Sequence, residues 1–393
     1  MPTDIVFASA VRTPIGKFGG GLASLTAVEL GAHAARATLE RSGIAPDQVD
    51  QTILGHGRQA GCGPNPARQV ALKAGIPVER PAFTVNQACL SGMQSVMAGI
   101  RAILVGEAEV VLAGGMEAMS QVPYMLDARW GWRMGHNQAT DLMYRDGFRD
   151  PICGKIMGET AETLATRYEI TRHEQDAYAL RTQQRAEFAW RDGRFDNEVV
   201  PIEIEGRKGT TLVERDEHPR SGLTIEKLGK LPPVFDPENG SVTAGNSSGI
   251  TDGAATLLVM GGEAANKLGV KPMARWVGSR VDGVLPEVMG IGPVPAVRNL
   301  LESTHVALDD IDLVELNEAF AAQVLAVDRE LGFDPERLNV NGGAIALGHP
   351  IGCSAARILV TLMHEMQRRE VQRGLATLCV SGGMGGAMLV ERA

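Results

Sequence analysis

The feature that most restricts the fold of this chain is an internal repeat. Residues 39–50, LERSGIAPDQVD, are echoed by residues 301–312, LESTHVALDDID, and LAGGM at 112–116 is echoed by VSGGM at 380–384. The two matches come in the same order at nearly the same separation, which indicates duplication of one unit. Strand patterns alternate with helix patterns, so we expect two α/β halves that face each other and bring equivalent strand ends to one cleft.

The first copy contains well-marked elements. Residues 26–42 have the apolar spacing of an amphipathic helix that Thr26 can cap and Gly43 can end. The glycine-rich segment 12–21 lacks the residue order of a phosphate-binding loop, so we predict a flexible loop there. Strands are predicted by the apolar runs at 5–8, 49–55, 82–85 and 108–115.

Composition changes between residues 120 and 241, where charged residues, Trp and Tyr become more frequent. This segment contains helix patterns at 159–168 and 172–189 and a polar, turn-rich stretch at 207–229 that carries several Arg and Lys residues. Such a pattern is typical of an insertion rather than of a core unit. The predicted domains are 1–119 with 242–265 for the first half, 120–241 for the insertion and 266–393 for the second half.

Bulk properties exclude several classes of function. A chain of 393 residues is longer than one core usually supports. The net charge of −9 argues against nucleic-acid and anionic-membrane partners, and no apolar run reaches the length of a membrane span. No secretory or transit pattern opens the sequence, so we expect a cytoplasmic protein. The five cysteines form no C-x-x-C pair and the histidines no metal-binding pattern, which predicts reduced thiols and no metal.

Cys89 follows the predicted strand 82–85 and precedes a helix pattern that extends to Val105. Unpaired N–H groups and the helix dipole lower the pKa of a thiol at such a junction. The sequence therefore predicts an available thiolate and a nucleophile at Cys89. Taken alone, this cysteine is more simply interpreted as a small buried apolar residue.

The second copy provides partners for this cysteine. Polar residues occur at three predicted strand ends, at 314–323, 341–352 and 378–385, where α/β sheets place their sites. Cys89 can attack a thioester carbonyl, and other groups in these stretches can transfer protons or stabilise the negative charge that this attack creates. His349 can take the proton, Cys379 can act as a second acid or base, the backbone N–H groups of Cys89 and Ser381 can hold an oxyanion, and Asn317 can anchor a water for another.

Each of these residues also has an ordinary structural interpretation. His349, before a proline, could be a turn residue bonded to backbone, Asn317 could be a helix N-cap, and Cys379 could be a core residue. The glycines could simply allow tight turns. We favour one shared site because it explains all of these positions together.

Eight stretches of the sequence resemble the thiolase family, which comprises acetyl-CoA acetyltransferases and 3-oxoacyl-CoA thiolases. The resemblance covers essentially the whole chain and implies an α/β thiolase fold. That fold has duplicated βαβαβαββ halves in an α-β-α-β-α arrangement of layers, with an inserted loop domain that binds coenzyme A. The stretches, in order, are VNQACLSGMQS, GGMEAMS, MGETAE, TAGNSSGITDGAA, VMGIGPVPA, NEAFAAQ, NVNGGAIALGHPIG and CVSGGMGGAM.

The resemblance implies a role for each candidate residue. Cys89 matches the nucleophile, His349 the residue that activates it, Cys379 the cysteine that shuttles protons, and Asn317 the residue that binds a water. The positions that match coenzyme A contacts are Arg220 at the nucleotide end, Ser248 at the pantetheine arm, Ala244, Ala319 and Phe320 along that arm, and Met157 at the pantetheine or acyl region.

The implied activity is reversible Claisen condensation of acetyl-CoA with an acyl-CoA, by a ping-pong mechanism through acyl-Cys89, without a cofactor. We favour a short-chain acetyl-CoA C-acetyltransferase of fatty acid metabolism over a broad-chain 3-oxoacyl-CoA thiolase or a non-catalytic acyl-CoA-binding protein. A decarboxylating condensing enzyme of the wider superfamily usually has His at the position of Cys379. Cys379 therefore argues against that activity.

Three residues differ from the usual family pattern. Ile156 stands where many members have His, Leu90 where Gly or Ser is commoner, and Ser381 where Gly is usual. A backbone N–H remains at Ser381, so we expect Ile156 and Leu90 to alter acyl-chain preference rather than the reaction. The resemblance also implies homodimers that pair into tetramers. The apolar segment Tyr124–Met134 could provide such a contact or belong to the core of the loop domain.

Overall fold

The computed structural model describes residues 4–206 and 209–393. Arg207 and Lys208, at the start of the predicted polar stretch, lie outside the described residues. The strands are β1 Ile5–Arg12, β2 Gly16–Lys17, β3 Gln51–His56, β4 Ala82–Val85, β5 Val110–Ala118, β6 Tyr124–Met125, β7 Thr140–Asp141, β8 Ile202–Gly206, β9 Gly209–Val213, β10 Thr251–Gly261, β11 Ala274–Gly283, β12 Leu313–Leu316, β13 Arg373–Val380 and β14 Met384–Arg392. The helices are α1 Ala27–Ser42, α2 Pro66–Lys73, α3 Ser91–Leu104, α4 Met157–Arg167, α5 Arg172–Arg191, α6 Ile225–Gly229, α7 Gly262–Leu268, α8 Pro293–Thr304, α9 Ala321–Leu331, α10 Ala344–Leu347 and α11 Ile351–Arg369.

The strands confirm the predicted duplication. In the first half the order is β4-β3-β5-β10-β1, and in the second it is β12-β13-β14-β11. Strand β3 is parallel to β5 and β12 is parallel to β13, whereas every later pair within each half is antiparallel. A short antiparallel pairing of β1 with β11 joins the two halves. The same topology therefore occurs twice.

Helices divide the molecule into five layers, as the family resemblance implied. Helices α3 and α11 pack together between the two halves, inside a core that includes residues from both. Helices α1 and α2 cover the outer face of the first half, and α8 and α9 cover the second. Because α3 and α11 are central, their N-terminal ends lie beside strands from both halves.

Of the two internal sequence matches, only the first marks structurally equivalent positions in the two halves. Residues 39–50 lead into β3 and residues 301–312 lead into β12. The paired glycines differ, since LAGGM lies inside β5 whereas VSGGM spans the turn from β13 to β14. A Cβ at Gly115 would lie 2.0 Å from the carbonyl oxygen of Gly352, so the first pair permits close packing rather than a turn.

Local signals predicted the helices better than the loops. Helix α1 begins at a capping box formed by Thr26 and ends at Gly43, which has a φ of 71°. Strand β1 extends to Arg12, and part of the predicted flexible loop 12–21 is instead held in place. Its residues Gly16 and Lys17 pair with β10. The prediction failed because the partners of this segment come from distant parts of the chain.

The inserted segment packs across the second half. Helix α5 contacts α9 and α10, and α4 contacts α9. Buried Arg12 joins this segment to β1 through ion pairs of 2.6 Å with Glu198 and 2.7 Å with Asp216. The insertion therefore covers the ends of β12 and β13.

Two searches of the described residues gave negative results. No described helix combines the length and apolar character needed to cross a bilayer. No group of three or more His, Cys, Asp or Glu side chains in the described ranges is arranged to hold a metal ion.

Candidate active site

A cavity of about 260 Å³ lies between the inserted segment and the central layer. It contains residues from both halves, because the ends of β4, β12 and β13 meet at this edge. The sequence-predicted residues that line it are Cys89, Met157, Ser248, Ala319, Phe320, His349, Cys379 and Ser381.

A strained turn positions Cys89 at the start of α3. Ala88 has a φ of 47°, in the left-handed region that side chains other than glycine rarely adopt. Asn86 accepts its N–H at 3.0 Å, and Ser91 Oγ donates to its carbonyl oxygen at 2.7 Å. The surrounding side chains therefore hold Cys89 in a conformation that the backbone alone disfavours, as is common at functional sites.

The predicted lowering of the Cys89 pKa is wrong. Burial of the thiol raises its pKa above the ordinary value, and this effect exceeds the opposing influence of the Arg58 charge. The nearby backbone N–H groups of Ser381 and of Cys89 itself also lower its pKa, but burial outweighs them. Cys89 is therefore a thiol at neutral pH, and it needs a base.

His349 lines the same cavity and has a free acceptor nitrogen. Its Nδ1 lies 2.5 Å from Ser354 Oγ, and this hydroxyl donates its hydrogen to the carbonyl oxygen of Pro350 at 2.9 Å. Ser354 must therefore accept from Nδ1–H, which leaves Nε2 as the proton acceptor. Burial and the charges of Arg357 and Arg58 lower the pKa of His349 to about 3, so the imidazole is neutral.

Cys379 and Asn317 occupy adjoining strands. Cys379 is buried, as a core residue would be, yet it lines the cavity, and burial together with the neighbouring Cys89 raises its pKa well above that of an ordinary thiol. Asn317 follows β12, and its backbone N–H donates to the Thr377 carbonyl at 3.0 Å. It is not an N-cap, because α9 is capped by Phe320.

The side chain of Asn317 has unused hydrogen-bonding groups. Both its amide oxygen and its amide nitrogen are buried without a partner among the described residues. Buried polar atoms are nearly always paired, and an exception suggests a functional role or a bound water. This observation agrees with the predicted function of Asn317 in holding a water.

Comparison with known proteins identifies the family. Residues 5–263 match the thiolase N-terminal domain, and residues 270–392 match the thiolase C-terminal domain. The chain belongs to the thiolase family. It is 51% identical to an acetyl-CoA acetyltransferase of Rhizobium meliloti (strain 1021) over 99% of both chains.

Solved structures agree with this assignment. The crystal structure of the Bacillus anthracis acetyl-CoA acetyltransferase has a TM-score of 0.97 with this thiolase, 48% identity and coverage of 99% of both chains. Human mitochondrial 3-ketoacyl-CoA thiolase in complex with CoA has a TM-score of 0.96, 43% identity and coverage of 99% of this chain and 98% of its own.

Some predicted residues of this thiolase lie elsewhere. Arg220 and Ala244 are exposed and are not among the residues that line the cavity. Asn317 is not among them either, since it is fully buried behind the cavity wall formed by Ala319 and Cys379. Leu90 is fully buried, points toward Gly386 in the core and does not line the cavity, and its influence on acyl-chain preference stays a prediction. Ile156 does line the cavity, beside Met157 at the start of α4. Its influence on acyl-chain preference stays a prediction.

Sequence reasoning missed four polar residues of this thiolase site. Ser354 orients His349, and Arg58 lines the cavity. Glu117 accepts backbone N–H groups from both halves, from Arg58 at 3.0 Å and from Gly352 at 2.9 Å, and it lies 3.1 Å from His56. Arg58 follows β3, so its place after a predicted strand was a usable signal.

Proposed function

We propose that this thiolase catalyses reversible Claisen condensation of acetyl-CoA with a short acyl-CoA through an acyl-Cys89 intermediate. The observation that carries the proposal is one cavity lined by two cysteines and a neutral histidine. The names of the relatives, acetyl-CoA acetyltransferase, and a relative's complex with CoA support coenzyme A thioesters as substrates. No cofactor is required, because thiol and imidazole groups supply the proton transfers.

Acyl transfer begins with proton movement from Cys89 to Nε2 of His349. The resulting thiolate attacks the thioester carbonyl, and the N–H groups of Cys89 and Ser381 stabilise the oxyanion. Collapse of the tetrahedral intermediate releases coenzyme A as a thiolate, which takes the proton of Cys379. This leaves an acyl group on Cys89, a protonated His349 and a Cys379 thiolate.

Condensation uses the Cys379 thiolate and the protonated His349 that acyl transfer leaves behind. The Cys379 thiolate removes an α-proton from acetyl-CoA, and the enolate oxygen accepts hydrogen bonds from protonated His349 and from a water held by Asn317. The carbanion attacks acyl-Cys89, and the proton on His349 returns to the Cys89 sulfur as the 3-oxoacyl-CoA leaves. Thiolysis follows the same steps in reverse.

The test combines acylation with turnover. Incubation with acetyl-CoA should add one acetyl group to Cys89, detected by mass spectrometry of the peptide that contains it. With coenzyme A present, acetoacetyl-CoA should be consumed faster than a long-chain 3-oxoacyl-CoA, because the cavity is small. Binding of acyl-CoA without acylation of Cys89 would instead identify a non-catalytic binder.

We also propose a homo-oligomer, a dimer or tetramer, in the cytoplasm, with a role in fatty acid metabolism. The segment Tyr124–Met134 is exposed on the single chain, with Trp130 90% and Met134 95% exposed, so the alternative of a loop-domain core is wrong. Exposed apolar residues of this size are typical of subunit contacts. Light scattering after size-exclusion chromatography should show a smaller assembly for Trp130→Ser combined with Met134→Ser than for the unmodified chain.

A further inference from the structure

Arg58 is a buried charged group of the cavity that the proposed reaction does not use. It lines the cavity together with Cys89 and His349. The residue is 9% exposed, and its Nε has no acceptor among the described residues. A buried guanidinium group is normally paired with a carboxylate or with carbonyl oxygens, because an unpaired buried charge is strongly destabilising.

The acidic groups near Arg58 have other partners. Glu117 accepts three backbone N–H groups and lies 3.1 Å from Nε2 of His56. Burial opposes protonation of His56, yet its contacts with Cys62 and Glu117 raise its pKa to about 9, so the charge of Glu117 is already balanced. Asp150 accepts two backbone N–H groups, at 2.8 and 3.0 Å. Arg58 forms no ion pair with a described carboxylate.

One side of the guanidinium is covered by backbone. A Cβ at Gly147 would lie 2.6 Å from Nε of Arg58, so the turn Tyr144–Phe148 leaves no room for a ligand on that side. Arg58 lines the cavity and also a neighbouring pocket that contains Asp146 and Asp150, and no described residue accepts a hydrogen bond from its terminal N–H groups, so these groups are open to an anion in the cavity. An anion that completes the pairing of Arg58 would therefore be a substrate group.

The side chains around the Cys89 sulfur indicate what kind of acyl chain would carry the anionic group. Cys89 packs against an apolar cluster that includes Ile351, Phe148 and Met143. An acyl group on the sulfur would meet apolar surface suited to methylene groups. The same cavity also holds the positive charge of Arg58, which suits a charged group at the end of a short chain.

We propose that Arg58 binds a carboxylate at the far end of the acyl group, so that the acyl-CoA substrate is a thioester of a short dicarboxylic acid. This inference rests on the proposed function and specifies its acyl substrate. The planar guanidinium of arginine matches a carboxylate with two parallel hydrogen bonds. The small cavity volume restricts the chain to a few methylene groups.

The carboxylate takes no part in the bond changes. In thiolysis, Cys89 attacks the 3-oxo carbon and the bond between carbons 2 and 3 breaks. Carbon 2 takes a proton from Cys379, which gives acetyl-CoA. Coenzyme A then attacks acyl-Cys89 and releases the ω-carboxyacyl-CoA, while its thiol proton restores the enzyme. The sum is 3-oxodicarboxyl-CoA plus coenzyme A giving acetyl-CoA plus ω-carboxyacyl-CoA.

The test compares two substrates of equal chain length, 3-oxoadipyl-CoA with a terminal carboxylate and 3-oxohexanoyl-CoA with a terminal methyl group. We expect the unmodified enzyme to have at least about a tenfold higher kcat/KM for the carboxylate. Arg58→Leu should lower this ratio by about ten- to a hundredfold, since hydrogen bonds to charged groups have that strength. Arg58→Lys, which keeps the charge, should retain part of the preference.

Arg101→Leu is the control, because it removes an exposed arginine charge from α3 at a position that does not line the cavity. It should keep the ratio of the unmodified enzyme. Equal losses of Arg58→Leu on both substrates would overturn the proposal, since they would indicate support of the Cys89 thiolate alone. So would an unmodified enzyme that consumes acetoacetyl-CoA but does not prefer the carboxylate. If it consumes no 3-oxoacyl-CoA at all, the proposed function itself fails.

Discussion

Substitution of Ser354 by Ala should slow acylation of Cys89 although Ser354 is not among the residues that line the cavity. The serine hydroxyl accepts Nδ1–H of His349 at 2.5 Å and thereby keeps Nε2 free of a proton. Without this acceptor, the neutral imidazole can carry its proton on either nitrogen. The form with a proton on Nε2 cannot accept the proton of Cys89.

The size of the effect follows from two losses. A net contribution of about 1 kcal/mol from the hydrogen bond that orients the ring corresponds to about a fivefold change in rate. An unconstrained tautomer removes about half of the competent imidazole, so the combined reduction is about tenfold. Rapid-quench measurement of acetyl-Cys89 formation from acetyl-CoA gives this rate directly. KM should change little, because Ser354 is not among the cavity-lining residues.

Ser95→Ala provides the matched control. Ser95 is another fully buried serine, and its Oγ bonds to Gly114 on β5 rather than to a group of the site. This variant should lose stability but acylate Cys89 at the rate of the unmodified enzyme. An acylation rate of Ser354→Ala within twofold of that of Ser95→Ala would refute the assigned role of Ser354.

Three further outcomes are expected. Asn317→Leu should reduce thiolysis about a hundredfold, because it removes the amide proposed to hold the water that donates to the enolate oxygen; a steady-state assay measures this. Cys379→Ser should still acylate Cys89 but should lose condensation, because a thiolate leaves unaided whereas carbon deprotonation needs a base; acyl labelling without turnover would show this. His56, with its pKa raised from 6.5 to about 9, should contribute stability that is complete below pH 6.5 and is lost as pH rises through 9. His56→Gln should therefore remove up to about 3 kcal/mol of stability, measured by urea titration at pH 6, and much less at pH 10.

Sequence predicted those parts of the fold and the site that depend on local signals. The capping box at Thr26 and the strand before Cys89 were correctly placed, because their determinants lie within a few residues. The pKa of Cys89 could not be predicted, because burial depends on residues that other segments bring to it. The location of the Leu90 side chain could not be predicted for the same reason, since only packing against Gly386 shows that it enters the core.

The candidate site depends on both halves of the thiolase chain. Cys89 comes from the first half, while His349 and Cys379 come from the second, so the proposed catalytic groups meet only when the halves are docked. Glu117 contributes to this docking, because its carboxylate accepts N–H groups from the first half and also from Gly352 in α11, three residues after His349. The same carboxylate is paired with protonated His56. Loss of that proton therefore leaves an unbalanced buried charge beside the contact that positions α11, which couples the ionisation of His56 to the geometry of His349, the proposed base.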